Sequence, residues 1–227
     1  MSCAEKTGKD PRVQVYILRH GVTSGNEEGK IVGHIDLGLS PKGREQALGA
    51  RQLIANCPID RAITSPLKRT RETAEIVLEG RSIEARPEPG LIELALKGWE
   101  GKTRHELRDD PDWQRWLTVP HTLPTPEGEW LEDVTKRAVA SMTKTVKELA
   151  NASSEPNRGG VAIFTHGGVA RILILHLLGL PLSAYQKLRC DCASVSAFEL
   201  TPEATLARVL ALNLTVPPVC MNGTPVH

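Results

Sequence analysis

The sequence has almost no net charge, because its 28 lysines and arginines are balanced by 27 aspartates and glutamates. Without a basic excess the composition does not indicate a nucleic-acid partner, and without an acidic run it does not indicate disorder. Long hydrophobic runs are missing as well. The longest apolar stretch, residues 172–180, is interrupted by His176 and Gly179 and is far too short to cross a bilayer, which excludes a membrane protein.

Cysteine is also scarce, and the five thiols are scattered along the chain. Cys190 and Cys192 are separated by one residue, a spacing that fits neither a redox pair nor a zinc knuckle. Residues 1–11 have neither the apolar core of a signal peptide nor the arginine content of a transit peptide. We therefore expect reduced thiols in a cytoplasmic protein, with residues 1–11 as a flexible lead and residues 215–227 as an irregular tail.

The apolar pattern that is present predicts alternating strands and helices. Residues 13–18 alternate like a half-buried strand, and residues 161–165 form the continuous apolar run of a fully buried one. Ser-Pro pairs at 40–41 and 65–66 are typical of helix starts. The sequence thus predicts an α/β fold with a mostly parallel central sheet and helices on both faces. The other predicted strands are 61–64, 83–86, 195–200 and 206–212, and the predicted helices are 41–56, 66–78, 131–150 and 169–178.

Two of the predicted strands end in similar motifs. The strand at 13–18 is followed by Arg19-His20-Gly21, and the strand at 161–165 by His166-Gly167-Gly168. Because ligands bind at the carboxyl ends of parallel strands, we expect both histidines on one rim of the sheet. The glycines let the backbone approach a ligand, and the following helix directs its positive end toward the rim.

Arginines add further positive charge near this rim. Arg19 adjoins His20, and Arg69 and Arg71 lie one turn into the helix that follows Ser65-Pro66. The planar guanidinium group carries a fork of donors that suits phosphate. Helical periodicity does not tell which of Arg69 and Arg71 faces inward. The residues by themselves therefore predict an anion site, most plausibly for phosphate.

Five segments resemble, in order, the motifs of the histidine phosphatase (phosphoglycerate mutase-like) superfamily. The first, residues 18–26, is similar to the family signature R-H-G-x-[ST]-x-x-N, and the last, Thr165-His166-Gly167-Gly168, is similar to its second-histidine motif. One such match is weak, but five in the family's order are specific. The three segments between them are residues 33–43, 64–74 and 91–101.

The resemblance implies a role for individual side chains. His20 would be the nucleophile that forms a phosphohistidine, and Glu93 would donate a proton to the leaving oxygen. Arg69 rather than Arg71 matches a phosphate-binding arginine of the family. The other residues that the resemblance places at the phosphoryl group are Arg19 and His166 as catalytic residues, and Thr23, Asn26 and Gly167 as substrate-binding residues.

Two further residues near these motifs have alternative interpretations. Glu100 is the rival proton donor, because Trp99 could desolvate its carboxyl group and raise its pKa. Otherwise Glu100 is a carboxylate that binds backbone amides in a turn. His34 lies in a loop that we expect to border the rim.

The resemblance also implies an activity. Family mutases carry an E-R-x-Y-G-x-L-x-G segment at the acid, whereas residues 93–101 here are closer to the phosphatase form. We therefore expect a metal-independent phosphomonoesterase, without a cofactor, that acts on a small phosphorylated metabolite. The alternatives are a cofactor-dependent phosphoglycerate mutase and a non-catalytic phosphate-binding or scaffold module. The oligomeric state is open, and a homodimer is compatible with the sequence.

Substrate preference is expected to depend on residues 91–130. We interpret residues 1–227 as one domain in which this segment forms a small helical cap over the active site and determines specificity. It holds all four tryptophans, which either line the substrate or anchor short helices by packing. Many family phosphatases have G-E-S here, but this chain has Gly128-Glu129-Trp130, so no particular substrate is carried over from the family.

Overall fold

The structure, a computed structural model, describes residues 12–126, 128–152, 159–201 and 207–216. The predicted lead at 1–11 and most of the predicted tail lie outside the described residues. Thr215 and Val216, the described part of that tail, belong to no helix or strand.

Six strands and six α-helices follow one another along the described chain. The strands are β1 (Val13–Arg19), β2 (Arg61–Thr64), β3 (Ala85–Pro87), β4 (Gly160–Thr165), β5 (Val195–Leu200) and β6 (Ala207–Leu214). The helices are α1 (Ser24–Glu27), α2 (Pro41–Leu53), α3 (Lys68–Leu78), α4 (Pro111–Thr118), α5 (Leu131–Ala152) and α6 (Gly167–Leu178). Short 3₁₀ helices span Pro89–Leu91, Lys97–Trp99, Pro120–Thr122 and Leu182–Lys187.

The strands form one sheet in the order β3-β2-β4-β1-β5-β6. The first four run parallel, whereas β5 and β6 are antiparallel additions at the β1 side. The predicted mostly parallel α/β sheet is therefore confirmed, and the two predicted late strands pair antiparallel with each other. In the β1–β4 register Arg19 is paired with Thr165, so the residues that follow the two strands leave the sheet side by side.

Helices cover both faces of the sheet because its strands alternate their side chains. Val15 and Ile17 of β1 belong to the core on the side of α5 and α6, while Tyr16 and Leu18 belong to the core on the side of α2 and α3. The four side chains are at most 3% exposed. Among the described residues, no helix is both long enough and apolar enough to span a bilayer.

Three of the four tryptophans are packing anchors. Trp99, Trp113 and Trp116 are at most 5% exposed. The ring of Trp99 lies 5.2 Å from that of Trp113 and 5.7 Å from that of Trp116, which ties α4 to the neighbouring 3₁₀ turn. Trp130 differs from them, since it is 44% exposed at the start of α5.

One predicted helix start is wrong. The Ser40-Pro41 pair opens α2 as expected, with the Ser40 hydroxyl accepting from the N–H of Gly43 at 3.2 Å. Ser65 does not cap α3, which begins at Lys68 after Leu67. The Ser65 hydroxyl instead lies 2.7 Å from Nε2 of His166, so a tertiary contact has replaced the local cap.

Candidate active site

His20 leaves the end of β1 and is 3% exposed. Its backbone N–H donates to the carbonyl of Thr165 at 3.0 Å, which ties it to the end of β4. Its ring Nδ1 lies 2.7 Å from the carbonyl oxygen of Gly21. Because a carbonyl oxygen only accepts, Nδ1 carries the proton of the neutral ring, and Nε2 keeps its lone pair.

His166 sits beside His20 at the start of α6 and is fully buried. The two rings meet edge to face, with centroids 5.3 Å apart and planes at 61°. Nε2 of His166 is held by the Ser65 hydroxyl. Its Nδ1 is buried and has no hydrogen-bond partner among the described residues. One ring nitrogen is thus anchored, and the other is left unpaired.

Both histidines are held neutral by their surroundings. Burial lowers the pKa of His20 well below its ordinary value of 6.5, and the positive charges of Arg69 and Arg19 lower it further. Burial likewise lowers the pKa of His166, with added contributions from Arg69, His20, Arg19 and His34. Both effects disfavour the charged imidazolium, so each ring stays neutral near pH 7.

Two arginines are oriented by backbone carbonyls. Arg69, 1% exposed, donates through Nη1 to Ile35 at 2.9 Å and through Nη2 to Gly33 at 2.7 Å. Arg19 donates through Nη1 to the carbonyl of Cys190 at 2.6 Å. The Nε of each is buried without a partner in the described part of the chain. An unpaired buried N–H costs free energy, which a bound anion would recover.

The ambiguity between the two helical arginines is resolved by the fold. Arg69 faces the sheet rim, whereas Arg71 is exposed and lines a separate cavity with Glu75 and Glu79. The structure therefore brings Arg69 to the histidines and directs Arg71 elsewhere.

Glu93 lies at the amino-terminal end of α6. Its Oε1 accepts from the N–H of Leu94 at 3.0 Å, and its Oε2 accepts from the N–H of Gly168 at 3.2 Å. A Cβ atom on Gly168 would lie 2.5 Å from Oε1, so only glycine permits this approach. Together with Arg19 and Gly167, Glu93 lines a cavity of about 200 Å³.

Glu100 has the alternative role of a backbone-binding carboxylate. Its Oε1 accepts from the N–H groups of His34 at 2.8 Å and of Leu96 at 3.2 Å. It does not line the cavity that holds Glu93. His34 does border the rim, and its Nε2–H donates to the carbonyl oxygen of Glu93 at 2.7 Å.

Thr23 and Asn26 form the capping box of α1. The Thr23 hydroxyl accepts from the N–H of Asn26 at 3.3 Å, and Oδ1 of Asn26 accepts from the N–H of Thr23 at 3.1 Å. Thr23 is fully buried, whereas Asn26 is half-buried. Gly167 lies against Arg19, since a Cβ atom there would be 3.2 Å from the arginine Nε.

The sequence analysis missed several residues that hold this site. Ser65 was interpreted as a helix cap, although its hydroxyl orients His166. Arg137 of α5 received no role, yet it donates to the carbonyl oxygens of Gly90, Ile92 and Glu93 itself and pairs with Glu129. No local pattern points to either contact, because the partners are far apart in sequence.

The fold and the site together define an α/β protein built to hold an anion. Two neutral imidazoles, the buried Arg69, the half-buried Arg19 and a carboxylate meet at the carboxyl edge of the parallel strands, where such folds bind phosphorylated ligands. Among the described residues, no three histidine, cysteine, aspartate or glutamate side chains are grouped so that they could hold a metal ion.

A family sequence model of the histidine phosphatase superfamily (branch 1) matches residues 15–214. The chain belongs to this superfamily, as its motifs predicted. The match extends from β1 through β6 and therefore takes in every residue of the site described above.

Relatives with known names agree with this assignment. An adenosylcobalamin/alpha-ribazole phosphatase of Salmonella typhimurium is 29% identical, over 87% of this chain and 96% of its own length. Phosphoserine phosphatase 1 of Hydrogenobacter thermophilus is 29% identical, over 89% of this chain and 93% of its own length. A probable phosphoglycerate mutase GpmB of Cronobacter sakazakii is 31% identical, over 86% of this chain and 88% of its own length.

Solved structures agree with the fold. The structure described as mycobacterial hydrolase 1 has a TM-score of 0.78 at 27% identity, covering 90% of this chain and all of that one. Superfamily membership and relatives named as phosphatases support the predicted phosphoric monoester hydrolase.

Proposed function

We propose that this chain is a phosphomonoesterase that hydrolyses a small phosphorylated metabolite through a phosphohistidine on His20. One observation carries the proposal. The residues next to His20 carry three buried polar atoms without partners among the described residues: Nε of Arg19, Nε of Arg69 and Nδ1 of His166. Nε2 of His20 keeps its lone pair because the proton of the ring is on Nδ1. A phosphate group would supply the oxygen atoms that the two guanidinium groups lack.

Binding would set the phosphorus atom in line with the nucleophile. The two guanidinium groups neutralise the phosphate charge and fix its orientation, so little rearrangement remains for the reaction itself. His166 contacts the same group through its open Nδ1. Asn26, whose Oδ1 is used in the capping box, keeps its amide N–H groups for a phosphate oxygen.

The first step transfers the phosphoryl group to the protein. Nε2 of His20 attacks phosphorus, the bond to the ester oxygen breaks, and protonated Glu93 donates its proton to the departing oxygen. The ring becomes positively charged as the N–P bond forms. The Nδ1–H of His20, already donated to the Gly21 carbonyl, stabilises that charge because its hydrogen bond strengthens.

The second step regenerates the protein. Glu93, now a carboxylate, takes a proton from a water molecule, whose oxygen attacks phosphorus. The N–P bond breaks, its electron pair returns to Nε2 of His20, and inorganic phosphate leaves. Glu93 is again protonated, so the cycle closes without a net change in the protein.

The names of the relatives support a small metabolite as substrate. One is named an adenosylcobalamin/alpha-ribazole phosphatase, a second a phosphoserine phosphatase and a third a probable phosphoglycerate mutase. The mutase is the alternative activity. Incubation with 3-phosphoglycerate followed by ³¹P NMR separates the two, since a hydrolase releases inorganic phosphate and a mutase forms 2-phosphoglycerate. A homodimer stays a prediction.

The central test is p-nitrophenyl phosphate hydrolysis in excess chelator. We expect turnover by the native chain and a loss of at least about 10³-fold in kcat for His20→Ala, because the nucleophile is removed. Acid-labile phosphate should be trapped on the native chain and not on the variant. The matched control is His176→Ala, an exposed histidine of α6. Undiminished turnover by His20→Ala would refute the phosphohistidine.

A further inference from the structure

A second positively charged surface adjoins the phosphate site. The cavity of about 200 Å³ that contains Arg19 and Glu93 continues to Arg104 and Arg171. Three arginines and one glutamate line it, so its charge is positive even with Glu93 ionised. Its other walls include Trp113 of α4, an apolar surface that adds no charge. We call the end of this cavity at Arg104 and Arg171 the distal pocket.

Arg171 is held rigidly at the distal pocket. It lies four residues after Gly167 on α6, about one helical turn or ~6 Å from the residue beside the phosphate. Its guanidinium carbon sits 5.3 Å above the ring of Tyr185, and that ring packs edge-on against Trp116 at 6.2 Å. Tyr185 is 4% exposed, so its ring is packed on nearly all sides. The arginine is therefore positioned before any ligand arrives.

Arg171 also lacks a counter-charge. Its guanidinium group is hydrogen-bonded to the side chain of Tyr185, but its Nε is buried without a hydrogen-bond partner among the described residues. Tyr185 is neutral, and no ion pair joins Arg171 to a carboxylate of the described residues. Two other half-buried arginines have several partners: Arg137 pairs with Glu129, and Arg81 donates to the carbonyls of Cys57 and Ala55. A half-buried guanidinium that lines a cavity and has no carboxylate partner is suited to an anion from outside.

We propose that the distal pocket binds a second anionic group of the substrate, a carboxylate or a second phosphate, carried on a short carbon skeleton. The inference rests on the proposed function, because the phosphate of the same molecule would be held by Arg19 and His166. The separation of about one helical turn between Gly167 and Arg171 suits a compact dianionic metabolite. The cavity is also smaller than the ~300–1,000 Å³ typical of pockets for larger ligands.

Arg171 and Arg104 contribute unequally to this subsite. Arg171 is half-buried, so its interaction with a carboxylate or phosphate is little screened by water. Its planar fork also matches the paired oxygens of either group. Arg104 also lines the cavity but is exposed, so solvent weakens its attraction for an anion. We therefore expect Arg171 to set the preference and Arg104 to add to it.

The test compares substrates that differ only in the second anion. One pair is 3-phosphoglycerate and glycerol 3-phosphate, and the other is fructose 1,6-bisphosphate and fructose 6-phosphate. In at least one pair, kcat/KM of the native chain should be about tenfold or more higher for the doubly anionic member. A preference in the first pair identifies a carboxylate as the group bound, and a preference in the second pair identifies a phosphate. Arg171→Gln should bring that ratio to about one.

Two variants keep the test decisive. Arg115→Gln removes an exposed arginine of α4 that does not line the cavity, and its ratio should equal that of the native chain. If Arg171→Gln fails to fold, Arg104→Gln should lower the ratio about two- to fivefold.

The possible failures are distinguishable. Hydrolysis of both members of each pair with equal kcat/KM, or a preference that neither arginine variant alters, overturns the distal-pocket proposal and leaves the phosphatase intact. If the native chain hydrolyses none of the four substrates and also fails on p-nitrophenyl phosphate, the proposed function itself is overturned.

Discussion

At the scale of single residues, the chemistry of the site depends on which atoms the protein has already occupied. Nδ1 of His20 is hydrogen-bonded to the Gly21 carbonyl, and Nε2 of His166 is hydrogen-bonded to the Ser65 hydroxyl. The ring nitrogens without a partner among the described residues are therefore Nε2 of His20 and Nδ1 of His166. The same reasoning separates the two glutamates. Glu100 is used by the amides of its own turn, while Glu93 reaches the cavity that borders the phosphate site.

Glu93→Gln provides a residue-scale prediction. We expect kcat/KM for glycerol 3-phosphate to fall by about 10²–10³-fold, because its alkoxide leaving group needs a proton. The fall for p-nitrophenyl phosphate should be much smaller, since nitrophenolate leaves without one. The measurement is the ratio of the two losses.

Glu100→Gln serves as the rival variant in that experiment. It should lower kcat/KM for both substrates by the same factor, because its carboxylate binds backbone amides of a turn and does not contact the leaving group. Equal losses for both substrates in Glu93→Gln, with unequal losses in Glu100→Gln, would reverse the assignment of the acid.

At the scale of elements, one helix controls the segment that carries Glu93. Arg137 of α5 donates through Nη1 to the carbonyls of Gly90 at 2.9 Å and Ile92 at 2.6 Å, and through Nη2 to that of Glu93 at 3.2 Å. Its Nη2 also pairs with Glu129 at 2.9 Å. A segment without regular structure is thereby fixed to a rigid helix, which is how an acid on a loop keeps its position.

Arg137→Met tests this clamp. Three carbonyls and a carboxylate would lose their donor, so we expect the free energy of unfolding to fall by about 1–3 kcal/mol and kcat to fall with it. Chemical denaturation and steady-state kinetics measure the two effects. Lys136→Met, which removes an exposed lysine paired with Asp133, should leave both nearly unchanged. Unaltered kcat in Arg137→Met would show that α5 does not position the acid.

At the scale of the whole molecule, the buried histidines link stability to pH. The folded pKa of each is lowered well below the value of about 6.5 expected in the unfolded chain. Below that value the unfolded chain binds protons that the folded chain does not, so unfolding becomes easier. The stability present above pH ~6.5 is therefore lost progressively as the pH falls toward the folded pKa.

Thermal melting across this range gives the prediction. The melting temperature should fall between about pH 7 and pH 5, and the fall should be shallower in the double variant His20→Asn/His166→Asn, which cannot take up these protons. Catalysis should respond differently, since His20 stays neutral in the folded protein through the same range. Identical slopes for the native chain and the double variant would contradict the linkage.

Much of the fold was predictable because its signals are local. The alternation of β1, the apolar run of β4 and the Ser40-Pro41 pair each reflect contacts within a few residues, and all three predictions hold. The arrangement of residues 91–130 was not predictable in this way. Their packing depends on Trp99 meeting Trp113 and Trp116, and no periodicity expresses those contacts.

The sequence by itself determined the superfamily, the α/β alternation and the two histidines at strand ends, since motifs and periodicity are properties of neighbouring residues. Only the tertiary structure decided that Arg69 faces the rim, that Ser65 holds His166 and that Arg171 lines a cavity without a counter-charge. Ser65 and His166 are 101 positions apart. Contacts over such distances arise when strands and helices pack, and the chain carries no local pattern for them.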